Sequence, residues 1–186
     1  MTRIFHCASL DCSRHRKYFF DTNIWMYIHG PFADSRNRNT QSYSDFYRRV
    51  LEADGSIYID FTVISEFLNR YIRQHHDLLK QEGSAPNRYK DFRESAEYKD
   101  IADGAADDLY HILANCHRID FSVKAIDFDS LLKELREGRM DMSDILIDQQ
   151  CNEHGLLLVT HDSDFLWSRC PIATFNQKML SAAAAG

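Results

Sequence analysis

At 186 residues with 44% hydrophobic content, the chain is long enough to bury the core of one ordinary domain. Its 22 Lys and Arg stand against 28 Asp and Glu, a formal net charge of -6, which excludes a protein that coats polyanions through general positive charge. The five scattered cysteines, Cys7, Cys12, Cys116, Cys151 and Cys170, do not suggest a disulfide framework, and no run reaches the roughly 18 apolar residues of a membrane span, so a cytoplasmic protein without a membrane partner is expected.

Residues 1–16 are expected to form a loosely ordered leader. His6, Cys7, Cys12 and His15 lack the CxxC pairing of a structural zinc site, so the leader is not assigned a metal. A single domain is then expected over residues 17–176. It opens on the buried strand Tyr18–Phe20, which stops at Asp21-Thr22-Asn23. "HGPFADSRNRNT" reads as a polar surface loop, followed by helical spacing from Thr40 to Ala53. A second strand, Ile57–Ile59, ends in Asp60, and helical spacing resumes from Thr62 to Leu79. Gly83, Pro86 and Asn87 break that pattern before further helices at Phe92–Cys116, Phe128–Arg136 and Ser143–His154. Strands at Leu156–Thr160 and Ile172–Phe175 complete the pattern, and residues 177–186, ending in the low-complexity "SAAAAG", read as a tail. Short apolar strands alternating with helices predict an α/β fold: a three-layer α/β/α arrangement around a mostly parallel sheet of four to five strands.

In open α/β sheets, ligands bind where the loops diverge at the carboxyl ends of the strands. Asp21 follows the first strand, Asp162 follows "LLLVT", Glu66 lies in the first turns of the helix after "SIYID", and Asp144 lies at the start of its own helix. Asp144 and Asp148, four residues apart, fall about 40° apart around a helix and border Ile147 and Cys151. No Lys or Arg occurs between Met140 and Leu166 to offset Asp141, Asp144, Asp148, Glu153, Asp162 and Asp164. Carboxylates gathered in a partly buried crevice repel one another and attract hard divalent ions, Mg²⁺ or Mn²⁺. In-line phosphodiester hydrolysis needs such a site, and bound cations let an acidic protein hold a polyanion. Arg36, Arg38, Arg70, Arg73, Arg88, Lys90 and Arg93 are candidate guides for a strand, although such residues usually serve solubility.

"FFDTNIWMYI", "VISEFLNR" and "SDILIDQQCNEHGLLLVTHDSDF" resemble, in order and context, the signature blocks of PIN-domain nucleases, most closely the VapC-like toxin branch. The resemblance implies a metal-dependent ribonuclease leaving a 5′-phosphate and a 3′-hydroxyl, with Asp21, Glu66, Asp144 and Asp162 as its catalytic and metal-binding acids. Thr22, Asn23 and Thr160 match the polar supports beside them. It further implies an RNA substrate, frequent homodimers and, for toxins, an antitoxin segment covering the cleft. The chain departs from that pattern in its extra length between Phe67 and Asp120, and in Asp148, which stands where a small residue is usual.

Each acid also has a structural reading. Asp21 and Asp162 suit turns or helix caps, Asp144 with Ser143 suits a cap at a helix start, and a helical glutamate such as Glu66 usually faces solvent. Asp164 is expected to support Asp162. Asp148 remains open between a supporting group, an accessory ligand and the partner of a distant arginine. The alternative function is a non-catalytic PIN-like module that binds RNA or protein through the same acidic cleft, and a phosphatase-type hydrolase is a third, weaker option.

Overall fold

Tyr18, Phe19 and Phe20 are all fully buried, although successive strand residues point to opposite faces, so the strand they form, β2 (Lys17–Phe20), is covered on both sides. The computed structural model describes residues 2–12, 16–31, 33–34, 36–120 and 123–185. Among them β2 is joined by β1 (Ile4–His6), β3 (Ser56–Ile59), β4 (His117–Arg118), β5 (Leu157–Val159) and β6 (Ile172–Thr174). All pairings are parallel and the spatial order is β1-β6-β5-β2-β3-β4.

Helices supply the crossovers: α1 (Thr22–His29) and α2 (Arg38–Glu52) between β2 and β3, then α3 (Phe61–Gln81), α4 (Tyr89–Phe92) and α5 (Ala96–Ala114) before β4. α6 (Phe128–Glu137) and α7 (Met142–His154) precede β5, and α8 (Gln177–Ala184) follows β6. Phe46 of α2 lies 6.1 Å from the Tyr18 ring and 6.2 Å from that of Phe20, while Trp25 of α1 lies 5.2 Å from Phe20. These two helices therefore cover one face of the central strand. α7, packed on β5, contributes Ile145, Ile147 and Cys151 to the same core. The three-layer α/β/α architecture expected from the sequence is present.

The sheet has two strands more than the strand signals predicted. β4 is two exposed residues long, too short to leave a periodic signal. β1 corrects the reading of residues 1–16 as a loose leader. Ile4, Phe5 and His6 pair in register with Ile172, Ala173 and Thr174, and Cys7, Leu10 and Cys12 are buried in the core. The Arg49 guanidinium donates to the Cys7 carbonyl at 3.1 Å and the Leu10 carbonyl at 2.7 Å, fastening the segment to α2. Burial pushes the Cys7 thiol far above its ordinary range, and His6 Nδ1 accepts the Ala8 amide at 3.1 Å. His15, the fourth residue weighed for zinc, lies outside the described residues. The tail is likewise corrected: Asn176 caps α8 through the Lys178 amide, and Met179 is buried where the helix packs on β1.

The stretch between Phe67 and Asp120 holds most of α3 together with α4 and α5, and α5 packs on α3. The predicted helix Phe92–Cys116 is interrupted, because Ser95 caps a new helix at the Tyr98 amide. His76 anchors the loop between α3 and α4: its Nε2 lies 2.8 Å from the Pro86 carbonyl, and its ring sits 4.6 Å from that of the buried Phe92. At the end of α7, Gly155 takes the left-handed conformation, φ 62°, that closes the helix and turns the chain into β5.

From β2 the chain steps through β3 and β4 to one edge of the sheet, whereas β5 and β6 lie on the other side of β2. The order therefore reverses between β2 and β5, and the crevice at their carboxyl ends is where a doubly wound sheet receives its ligand.

Candidate active site

Asp21 leaves β2 and Thr160 leaves β5 at this reversal, the Asp21 amide donating to the Val159 carbonyl at 3.0 Å. Asp21 stands at the N-cap position of α1, yet its side chain makes no cap bond. Instead Oδ2 accepts from Thr160 Oγ1 at 2.7 Å and from Asn23 Nδ2. Thr160 Oγ1 in turn accepts from Asn23 Nδ2 at 3.1 Å and from the Asp162 amide at 3.0 Å. One hydroxyl thus uses its single proton on Asp21 and both acceptor positions to tie α1 and the Asp162 loop together. Asn23 Oδ1 completes the tie by accepting the His161 amide at 3.1 Å. Thr160 and Asn23, expected from the resemblance to stand beside the acids, both hydrogen-bond the Asp21 carboxylate.

Glu66, five residues into α3, receives Thr22 Oγ1 at 2.9 Å on one carboxylate oxygen and Arg70 at 3.1 Å on the other. Asp144 sits in the first turn of α7, where the cap is Asp141, whose carboxylate accepts the Asp144 amide at 3.0 Å. The reading of Asp144 as a cap with Ser143 is therefore corrected: its own carboxylate is left for the crevice. Asp162 caps the short 3₁₀ turn Ser163–Trp167 by accepting the Asp164 amide at 3.0 Å. Asp164 supports Asp162 through its backbone, its side chain lying exposed.

Burial and neighbouring carboxylates act together on two of the four acids. Asp21, 5% exposed, has its carboxyl raised from 3.8 to about 7, first by burial and further by the charges of Glu66 and Asp162, against the lowering bond from Thr160. Asp144 is raised from 3.8 to about 8 by burial and by the charges of Asp141, Asp21, Asp162 and Glu66. Among the described residues the quartet's ion pair is that of Arg70 with Glu66, a partly exposed pair of the kind that contributes little. Arg36 pairs with Asp34, Arg73 lies over the Tyr89 ring and Arg88 approaches Asp91, so of these candidate guides Arg70 is the one that contacts the quartet.

Asp148 does not belong to this site. It is 1% exposed and its carboxylate accepts from Ser168 Oγ at 2.6 Å, the Arg169 amide at 2.9 Å, the Cys170 amide at 3.3 Å and Arg169 Nε at 3.1 Å. Its supporting role is to fold the turn into β6. Arg169 lies just beyond the arginine-free stretch, so part of the charge that seemed to need an outside cation is neutralised internally.

Sequence reasoning missed a further layer around His161. Tyr43 of α2 places its hydroxyl 2.9 Å from His161 Nδ1 and accepts the Phe175 amide at 3.0 Å, while Asn176 Nδ2 donates to the His161 carbonyl at 2.6 Å. Tyr43 reads as an ordinary core aromatic in an amphipathic helix. Asn176 did carry a signal, because it follows a strand and opens a helix as Asp21 does.

Among the described residues no three His, Cys, Asp or Glu side chains close around one point as a dedicated metal cage does. The donor set nevertheless fits a hard cation in kind: carboxylate oxygens from four elements, mutually repelling and with little positive charge nearby. Mg²⁺ in particular is usually bound by one or two carboxylates plus waters and substrate phosphate rather than by an all-protein cage.

The PIN domain family profile matches residues 18–166 of the chain. No curated protein matches it. Among solved structures, VapBC2 from Rickettsia felis, described bound to a DNA fragment from its promoter, is 19% identical over 86% of this chain and 98% of its own, with a TM-score of 0.55. PAE2754 from Pyrobaculum aerophilum is 14% identical over 92% of this chain and 97% of its own, with a TM-score of 0.48. At 19% identity, the likeness to VapBC2 is one of fold.

Proposed function

The chain belongs to the PIN domain family, and from that premise we propose that it is a Mg²⁺- or Mn²⁺-dependent endoribonuclease of the VapC-like toxin branch. What supports the proposal is that Asp21 stands buried at the sheet's switch point and that burial, with the charges of the other acids, raises the carboxyls of Asp21 and Asp144 to about 7 and about 8. Asp21 and Asp144 would hold the principal ion, with Glu66 and Asp162 completing the site directly or through water. When bound, the ion supplies an activated water and neutralises charge on the scissile phosphate. Thr160 and Asn23 hold the Asp21 carboxylate in one orientation, and Thr22 does the same for Glu66. An antitoxin segment over this cleft and a homodimer as the active assembly belong to the same proposal and rest on the resemblance to the VapC-like toxin branch. Among the described residues no helix is long and apolar enough to cross a membrane.

Among the described residues no closed metal cage is formed, and this favours one second reading, a non-catalytic module that binds RNA or protein through the cleft. Cleavage assays separate the two. The nuclease should cut single-stranded RNA in Mn²⁺ or Mg²⁺, leave 5′-phosphate ends and stop in EDTA; RNA bound equally with and without EDTA, and never cut across a broad panel, would establish the module instead.

A further inference from the structure

The acidic crevice lies at the carboxyl ends of the strands, and the amino ends of the same sheet carry the opposite charge. Arg3 immediately precedes β1, Arg16 immediately precedes β2, and Lys17 is the first residue of β2. β6 and β5 lie between these two strands, with Pro171 and Gly155 where the chain enters them. All of these residues, together with Phe5 and Leu157, line one cavity of about 220 Å³. The Arg3 and Arg16 guanidinium carbons lie 5.5 and 5.9 Å from the centre of the Phe5 ring, so a single aromatic side chain orients both groups. Strands of three or four residues, rising about 3.3 Å per residue, hold the cavity roughly 10 Å or more from the crevice.

These cations stand without counter-ions. No Asp or Glu lines the cavity, and among the described residues Arg3, Arg16 and Lys17 form no ion pair. Elsewhere the chain's surplus of acids is put to use: Arg36, Arg48, Arg70, Arg88, Arg139 and Arg169 each pair with a carboxylate. Cations gathered around one hollow repel one another, and an anion seated among them relieves that repulsion. The volume points to a compact anion, since pockets for small organic ligands begin at roughly 300 Å³. A carboxylate presents two oxygens in one plane and a single charge. A phosphate that is free or at a chain end carries more than one charge and presents oxygens in several directions, which suits two planar guanidiniums and an ammonium arriving from separate strands. We propose that this cavity is a phosphate-binding site, separate from the acidic crevice, whose ligand is inorganic phosphate or the 5′-phosphate end of an RNA. The assignment rests on the cavity alone and does not require that the crevice cut RNA.

Thermal melting of the full chain without divalent ions, titrated with inorganic phosphate, tests the assignment. Phosphate should raise the melting temperature of wild type beyond the effect of chloride at equal ionic strength. R3Q and R16Q should each weaken the apparent affinity about tenfold. Should R16Q fail to fold, R3Q at its exposed position still decides. Binding of a short labelled RNA, again without divalent ions, separates the two sources. If the ligand is an RNA end, the 5′-phosphorylated strand should bind more tightly than its 5′-hydroxyl twin, inorganic phosphate should compete, and R3Q should abolish the difference; if it is free phosphate, the two strands should bind alike while the melting shift persists. A phosphate response no greater than that of chloride with no preference for the 5′-phosphate, or a response equal in R3Q and wild type, overturns the assignment. So does a glutamate-rich peptide that displaces phosphate at lower concentration than phosphate itself binds, which would make the cavity a seat for an acidic protein segment.

Discussion

Asp21→Asn and Asp144→Asn are each expected to lower RNA cleavage about a hundredfold or more while leaving the fold intact. A metal site contributes several kcal/mol of charge stabilisation at the transition state, and loss of either principal carboxylate forfeits most of it. Asparagine keeps the shape at position 21, so its carbonyl still accepts from Thr160 and Asn23. The sign of the stability change separates this account from a merely structural role. Asp21 has a folded pKa of about 7 against 3.8 unfolded, so between those values the folded state binds the extra proton. Stability of the ion-free protein therefore falls as pH rises from about 4 to about 7, and stays low above it, by about 4 kcal/mol at most. Asp21→Asn removes that penalty. At pH 8 without divalent ions the variant should melt higher than wild type, and added Mn²⁺ should raise the melting temperature of wild type much more than that of the variant. An Asp21→Asn protein that is less stable and still active would show the carboxylate to be structural.

Asp148→Ala should do the opposite, destabilising the protein by about 3 kcal/mol while sparing the activity of the molecules that fold. The substitution leaves the Arg169 and Cys170 amides without their buried acceptor and removes the Arg169 ion pair. Breaking a buried pair by deleting one member typically costs 3 to 5 kcal/mol. The low end applies here because the Arg169 side chain is about half exposed and regains water, and Ser168 keeps its contact with the Cys170 carbonyl at 3.2 Å. Urea unfolding should show a lower midpoint at unchanged slope. A loss of Mn²⁺ response in a folded Asp148→Ala protein would return Asp148 to the acidic site.

The contrast between these two aspartates shows where the sequence was legible. Asp21 and Asp162 were placed because each follows an apolar run that could only be a buried strand, and a parallel sheet brings such ends to one edge. Asp144 and Asp148, one helical turn apart, could not be separated by periodicity, since both fall near the same helix face. What separates them is Arg169, which reaches Asp148 only after β5 and the turn beyond it have folded back. The α1 helix was hidden for a related reason, because Asp21 looks like a strand-ending turn residue and its carboxylate does not cap the helix it precedes. β1 escaped because its three half-buried residues are stabilised by edge pairing with β6, a partner nearly the whole chain away. Long-range pairing leaves no local period to read.

Calorimetric titration of Mn²⁺ into the protein at pH 7, repeated in buffers of different ionisation enthalpy, tests the central claim most directly. Carboxyls held at about 7 and about 8 are partly protonated at that pH and must give up their protons to bind a cation. Binding should therefore release protons into the buffer, and both the binding and the release should be lost in Asp21→Asn and Asp144→Asn. Mn²⁺ binding that is unchanged in either variant, or that proceeds without proton release, would contradict a site built from these four acids.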